Sequence, residues 1–296
     1  MSARAPLSDV SDTARWVAFF RALETERPDA LFHDIYARRL AGERGRVIAE
    51  SLPKGPLPWS LAVRTRVFDE LILEALRGRK ILTILNLAAG LDTRPYRLPL
   101  PADLRWIEVD LPGIISWKNE TLQGERAACA VERVPLDLAV RGKRQDLLAR
   151  VSAEAPNALV VTEGLLVYLD ATEVGSLADD LHRFFPTGLW LLENAAPSIL
   201  ARQRRMWGKA LGAAKADHKF APANGLDFYR PHGWVPRETR SLLDEAQRLR
   251  RELPIVSLLR RMSARLPFME RAYARRHAKF RDAMLYAVME PTDSSS

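Results

Sequence analysis

Apolar residues along this chain recur in two rhythms. A helical rhythm fills residues 9–25, where Trp16, Phe19, Phe20 and Leu23 form one stripe behind the cap candidates Ser11 and Asp12. It returns over 28–41, with Pro28 at the start, and over Trp59–Leu76, where Leu61, Val67, Phe68, Leu71, Ile72 and Leu76 share a side. Gly42, Gly45, Pro53, Gly55, Pro56 and Pro58 lie between these segments and predict a loop. From Ile81 the pattern changes to short apolar runs. Those at Ile81–Leu85, Arg105–Asp110, Ala127–Leu136, Ala158–Thr162, Leu189–Asn194 and Met284–Met289 predict six strands. Helical patterns alternate with them at Gly113–Leu122, Arg144–Ala153 and 172–185, the last capped by Asp170 or Thr172. Strand and helix in alternation predict an α/β fold, a sheet with helices on both faces.

The first strand runs into Ala88-Ala89-Gly90, where side chains nearly vanish. Such an ending lets a ligand approach the backbone, and the amides opening the next helix favour polar or anionic groups. The second strand ends at Asp110, 20 residues beyond Gly90. An acid at this spacing accepts hydrogen bonds from a ribose diol, so the pair predicts a nucleoside-binding half-fold. A dinucleotide would want glycines that the run from Ala88 to Thr93 lacks at two of three positions, which disfavours an NAD-dependent oxidoreductase. Asp92 is a favourable helix cap, or an acid that faces an ammonium group. Glu163 follows the fourth strand, at the carboxyl end of a central strand where open α/β sheets bind ligands.

The strings NLAAGLDTRPYRL and WIEVDLP, with EGLLVYL further on, resemble the leucine carboxyl methyltransferase superfamily, including its bacterial polyketide-tailoring O-methyltransferase-like members. The resemblance covers about Ser11 to Pro291. It implies a Rossmann-like class I methyltransferase with a seven-stranded mixed sheet, and S-adenosyl-L-methionine as cofactor. It also implies roles. Arg64 pairs with the cofactor's methionine carboxylate, a task that suits a guanidinium with two parallel donors. Ala88, Ala89 and Gly90 lie against the cofactor, Asp110 holds the ribose, Asp137 accepts from the adenine amine and Leu138 packs on the ring. Glu163 contacts the cofactor, and Leu165–Tyr168 line the reacting centre. Tyr168 is the candidate catalytic residue, orienting the nucleophile, or else a core residue with a hydrogen-bonded tip. Arg21 is either a further basic residue near the cofactor carboxylate or a surface partner of Glu24 or Glu26. Ala88 stands where many relatives carry glycine.

The expected organisation is an N-terminal helical cap over 1–80, a cofactor-binding core over 81–195, a lid insertion over 196–235 and a completion of the core over 236–296. Met206, Trp207 and Leu211 of the lid face a pocket or pack the lid on the body. The sixth strand, around 235–242, shows no clear apolar run, and 254–279 reads as helical.

Composition narrows the rest. A lone cysteine, Cys129, excludes an internal disulfide and a cysteine metal site, and points to a reducing compartment. No signal-peptide core and no membrane-length apolar run is visible, so a soluble cytoplasmic protein is expected. The five histidines show no metal spacing, and His232 alone is a weak site candidate. Net charge is +8, with 20 Lys/Arg against 7 Asp/Glu over 201–281. That excess attracts an acidic partner or is a solvated surface, and no nucleic-acid motif accompanies it.

A carboxylate acceptor is ionised at neutral pH, whereas a hydroxyl needs a base that no His–Asp or Lys motif announces. The reading is therefore O-methylation of a small molecule of secondary metabolism, at a carboxylate or hydroxyl, with a lean towards carboxylate. A protein C-terminal carboxyl methyltransferase, a nucleic-acid methyltransferase and a cofactor-binding protein without catalysis are the alternatives.

Overall fold

The computed structural model describes residues 7, 9–53, 57–78, 80–252 and 280–292. Three helices come first: α1 (Val10–Thr25), α2 (Ala37–Ser51) and α3 (Leu57–Gly78). The chain then alternates through β1 (Thr83–Leu87), α4 (Arg94–Arg97), β2 (Arg105–Asp110), α5 (Pro112–Thr121), β3 (Ala130–Pro135) and α6 (Arg141–Glu154). It continues with β4 (Leu159–Thr162), α7 (Ala171–Phe184), β5 (Leu189–Ala195) and α8 (Pro197–Ala213). The described elements end with β6 (Trp234–Ser241), α9 (Leu242–Arg248) and β7 (Met284–Pro291). The helical reading of 254–279 lies outside the described residues.

All seven strands join one sheet in the order β3-β2-β1-β4-β5-β7-β6. β7 runs antiparallel to both its neighbours, and the remaining pairs are parallel. Side chains alternate across the sheet as a pleated strand requires. Leu85, Val160, Trp190 and Leu192 face α6 and α7, whereas Ile84, Leu159, Val161 and Leu191 face α3. Covering both faces makes the central strands apolar throughout, which is why their sequences read as solid runs. A further apolar cluster joins α1, α2, α5 and α8 above the sheet, with Trp16 of α1 edge-on to Trp207 of α8 at 5.7 Å. These four helices thus form one packed layer.

Two readings need correction. The second helix occupies Ala37–Ser51 rather than 28–41, so it begins late and runs straight through Gly42 and Gly45. Gly42, at φ 59°, kinks it. At Gly45 an added Cβ would stand 2.6 Å from the Arg15 carbonyl oxygen, so the glycine there lets two helices touch and does not break one. The obscure sixth strand is real and sits at the sheet's edge. Its residues include Pro236, Arg237, Glu238 and Arg240, with a register shift between Pro236 and Glu238. Charge, proline and a bulge are how an exposed edge avoids pairing with another chain, and they also erase the apolar signature. The cap of α7 falls on Asp170, whose carboxylate accepts from the Glu173 N–H while Glu173 accepts from the Asp170 N–H.

Candidate active site

Strand order reverses between β1 and β4, so the segments leaving their carboxyl ends diverge. A cleft of about 290 Å³ opens there. Arg64, Ala88, Ala89, Gly90, Asp110, Asp137, Leu138, Glu163 and Tyr168, all singled out in the sequence, line this one cleft together with Arg21 and Asp92.

The turn after β1 takes an uncommon path. Ala88 and Gly90 both have φ 52°, in the left-handed region that side chains disfavour. Ala89 donates to the Val109 carbonyl at 3.1 Å and ties the turn to β2. Asp110 then closes the turn from the other side: one carboxylate oxygen accepts from the Gly90 N–H at 2.6 Å, the other from the Leu111 N–H at 2.7 Å. Burial pushes the Asp110 carboxyl above the ordinary range, although both backbone bonds oppose the shift. Each oxygen keeps a second lone pair for a ligand hydroxyl. Asp137, at the mouth, is exposed and accepts from the Ala139 N–H at 2.9 Å, with half-buried Leu138 beside it.

The floor is a chain of buried charges. Glu163 lies 2.9 Å from Arg64 and 2.7 Å from Arg94. Arg94, fully inside the protein, also bonds Asp69 at 2.7 Å and Asp92 at 3.0 Å, and Arg97 grips Asp69 from the far side at 2.6 Å. Asn86 of β1 donates to Asp92 at 2.9 Å. Burial alone would raise Asp92 and Glu163, yet the adjacent arginines outweigh it and hold both carboxyls low. Glu193 differs: burial holds it above the usual range, and among the described residues the cation beside it is Arg64, at 3.4 Å. Arg21 is buried and bonds Asp34 at 2.9 Å, not Glu24 or Glu26.

The cleft's chemistry suits an adenosyl amino acid. The Arg64 Nε–H is buried near Glu163 but not directed at it, and remains without an acceptor. The Arg97 Nε–H is likewise buried and unaccepted. A ligand carboxylate reaching this end would satisfy donors that the protein leaves open. Leu136 and Leu138 offer an apolar wall at the other end. No group of metal-binding side chains occurs among the described residues.

A second, smaller cavity of about 100 Å³ lies against the first, and both are lined by Thr13, Val17, Arg64, Gly164 and Tyr168. Tyr168 sits on a 3₁₀ turn (Leu166–Tyr168) with its hydroxyl bonded to Thr13, and burial raises its pKa. Trp207 and Leu211 of α8 line the small cavity, whereas Met206 does not. His232 is elsewhere, paired with Asp179 at 2.7 Å. The histidine lining the small cavity is His218, whose ring lies edge-on to Tyr168 at 5.2 Å. Sequence reasoning gave no site role to His218, Trp16, Gln203, Glu193 or Arg94, because their partners lie on distant segments.

Comparison with known proteins identifies the family. The leucine carboxyl methyltransferase family model matches residues 14–182. A Parafrankia protein is 34% identical over 83% of this chain and 83% of its own length. One from Mycobacteroides abscessus is 31% identical over 84% and 90% respectively. Both are provisionally named S-adenosyl-L-methionine-dependent methyltransferases. A solved DUF574 family protein from Streptomyces avermitilis has the same fold, with a TM-score of 0.58 at 12% identity over 94% of this chain and 97% of that one. The chain therefore belongs to the leucine carboxyl methyltransferase family, whose enzymes take their methyl group from S-adenosyl-L-methionine.

Proposed function

We propose that this protein methylates an oxygen atom of a small molecule, as expected for an enzyme of secondary metabolism. The observation that carries the reading is the small cavity behind Tyr168, closed over by α1 and α8 and sharing walls with the cofactor cleft. An acceptor held there would meet the cofactor end of the cleft at Tyr168.

The bound cofactor supplies a methyl group on a sulfonium, which is already a good leaving group, so the protein's task is alignment and exclusion of water. Asp110 accepts from the ribose hydroxyls through the lone pairs its backbone bonds leave free. Asp137 accepts from the adenine amine, and Leu138 packs against the base. The open Nε–H of Arg64 takes the amino-acid carboxylate, and Glu163, held by Arg64 and Arg94, fixes the guanidinium's position. Ala88, Ala89 and Gly90 keep side chains out of the cofactor's path. Tyr168, anchored by Thr13, orients the acceptor.

The test is methyl transfer from isotopically labelled S-adenosyl-L-methionine to a panel of small phenols, alcohols and carboxylic acids, run beside peptides ending in leucine. Label in a small molecule supports the reading. Label only in the peptides would replace it with carboxyl methylation of a protein tail.

A further inference from the structure

The small cavity has a chemistry of its own. Its walls are chiefly apolar and aromatic, from Trp16, Leu61, Trp207, Leu211, Phe220 and Met284. Its charged lining residues are Arg64 and Glu193, and Arg64 is shared with Glu163 on its other side. Arg64 is matched there by Glu193, and Glu163 is held by both Arg64 and Arg94, so an anionic acceptor would find no cation free to pair with it. Of the neutral polar groups in the lining, Tyr168 and Thr13 bond each other, which leaves Trp16 and the His218–Gln203 pair. Trp16 is 5% exposed, and its indole N–H is buried without an acceptor. His218 hydrogen-bonds Gln203 Oε1 through Nδ1 at 2.9 Å. An amide oxygen can only accept, so Nδ1 carries the proton and Nε2 keeps a lone pair.

We infer that the acceptor is an uncharged hydroxyl on an apolar or aromatic framework, seated between Trp16 and His218, with His218 Nε2 receiving its proton. This inference rests on the O-methyltransferase reading and reverses the lean towards a carboxylate that the sequence suggests. In the step itself the hydroxyl oxygen donates a lone pair to the methyl carbon, and the carbon–sulfur bond electrons return to sulfur to give the neutral thioether. The proton passes to Nε2 and then to solvent.

The ring is neutral at physiological pH: burial, with Arg204 of α8 alongside, pushes it down to about 4, and adjacent Asp217 opposes the shift. Tyr168 and Gln203 are its other polar neighbours. A base this weak suffices because the hydroxyl becomes strongly acidic as the oxygen–carbon bond forms.

Calorimetry on the full chain, with S-adenosylhomocysteine bound, would compare 4-methylphenol with 4-methylbenzoate. Tenfold or tighter binding of the phenol is expected. Equal or tighter binding of the benzoate, or binding of neither, overturns the inference. In turnover, His218→Gln should lower kcat for 4-methylphenol about 100-fold or more, within the usual range for a lost general base. That deficit should shrink at least tenfold as pH rises towards 10, where phenols ionise, and likewise with the more acidic 4-nitrophenol. A deficit equal for both phenols and flat with pH would mark His218 as merely structural. S-adenosylhomocysteine affinity within twofold of wild type checks that the variant folds. Methylation of 4-methylbenzoate with the phenols inert would sink this inference and leave the O-methyltransferase reading standing, whereas failure of wild type to bind S-adenosylhomocysteine would sink both.

Discussion

The two neighbouring cavities are built on opposite principles. The cofactor cleft is a polar frame at strand ends, where Arg64, Arg94 and Arg97 alternate with Asp69, Asp92 and Glu163 in direct contact. The smaller cavity, where we place the acceptor, is mostly apolar and is walled by α1 and α8, two helices separated by most of the chain. Charges that are buried and paired hold fixed positions at considerable cost, which is worthwhile where one invariant ligand must sit the same way every time. An apolar pocket holds its ligand by shape and allows its helices to be reshaped without disturbing the charges.

The sharpest way to break that contrast is Arg94→Leu. It leaves three carboxylates without their shared cation and should cost about 3–5 kcal/mol of stability, read from urea unfolding. Acid should modulate the loss. Asp92 and Glu163 are held below their unfolded values, so their contribution is fully present above about pH 4 and is lost as pH falls through the lower folded values. The variant's penalty should therefore be largest at pH 7 and smaller near pH 3; a penalty independent of pH would show that the network's charges do not set it.

Asp110→Ala comes next. It removes the ribose acceptor and strands the Gly90 N–H, and calorimetry should show S-adenosylhomocysteine binding weakened roughly 100-fold, from the loss of charged hydrogen bonds. Unchanged affinity would refute the ribose role. On the other side of the contrast, Trp207→Leu should cost about 2 kcal/mol, a partial version of a Trp→Ala core truncation. It should widen the range of acceptors methylated while S-adenosylhomocysteine affinity stays within twofold; a large loss of that affinity would mean the two cavities are not separable. The smallest effect is expected from Ala88→Gly, which relieves the left-handed φ of 52° and should stabilise the fold by about 0.5–1 kcal/mol in thermal unfolding. Destabilisation there would mean that the methyl group packs usefully against the core.

Asp110 was readable because its meaning is local in sequence: a fixed number of residues after a small-residue turn, on a strand whose apolar run is unmistakable. Asp137 was singled out by the family resemblance alone, and Glu163 by its strand end together with that resemblance; both line the cleft. Arg94 stood in the same quoted stretch but gave no sign of its role, because its partner Asp69 lies 25 residues earlier on another element. Gly45 misled for a related reason. A glycine that allows close helix contact and one that ends a helix are the same letter, and only the neighbour, the Arg15 carbonyl, tells them apart.

Periodicity and strand-end chemistry, being properties of consecutive residues, determined the α/β class, the succession of the main strands along the chain and the nucleoside-binding ends of β1, β2 and β4, and the family resemblance supplied the cofactor. The tertiary structure alone decided what lines the small cavity, because Trp16, Glu193 and His218 come from three distant segments and acquire a joint meaning only when α1 and α8 pack together above the sheet. Contacts within a strand and its turn are written in the spacing of neighbours; contacts between remote segments are set by how whole surfaces fit, and no short stretch of sequence carries that information.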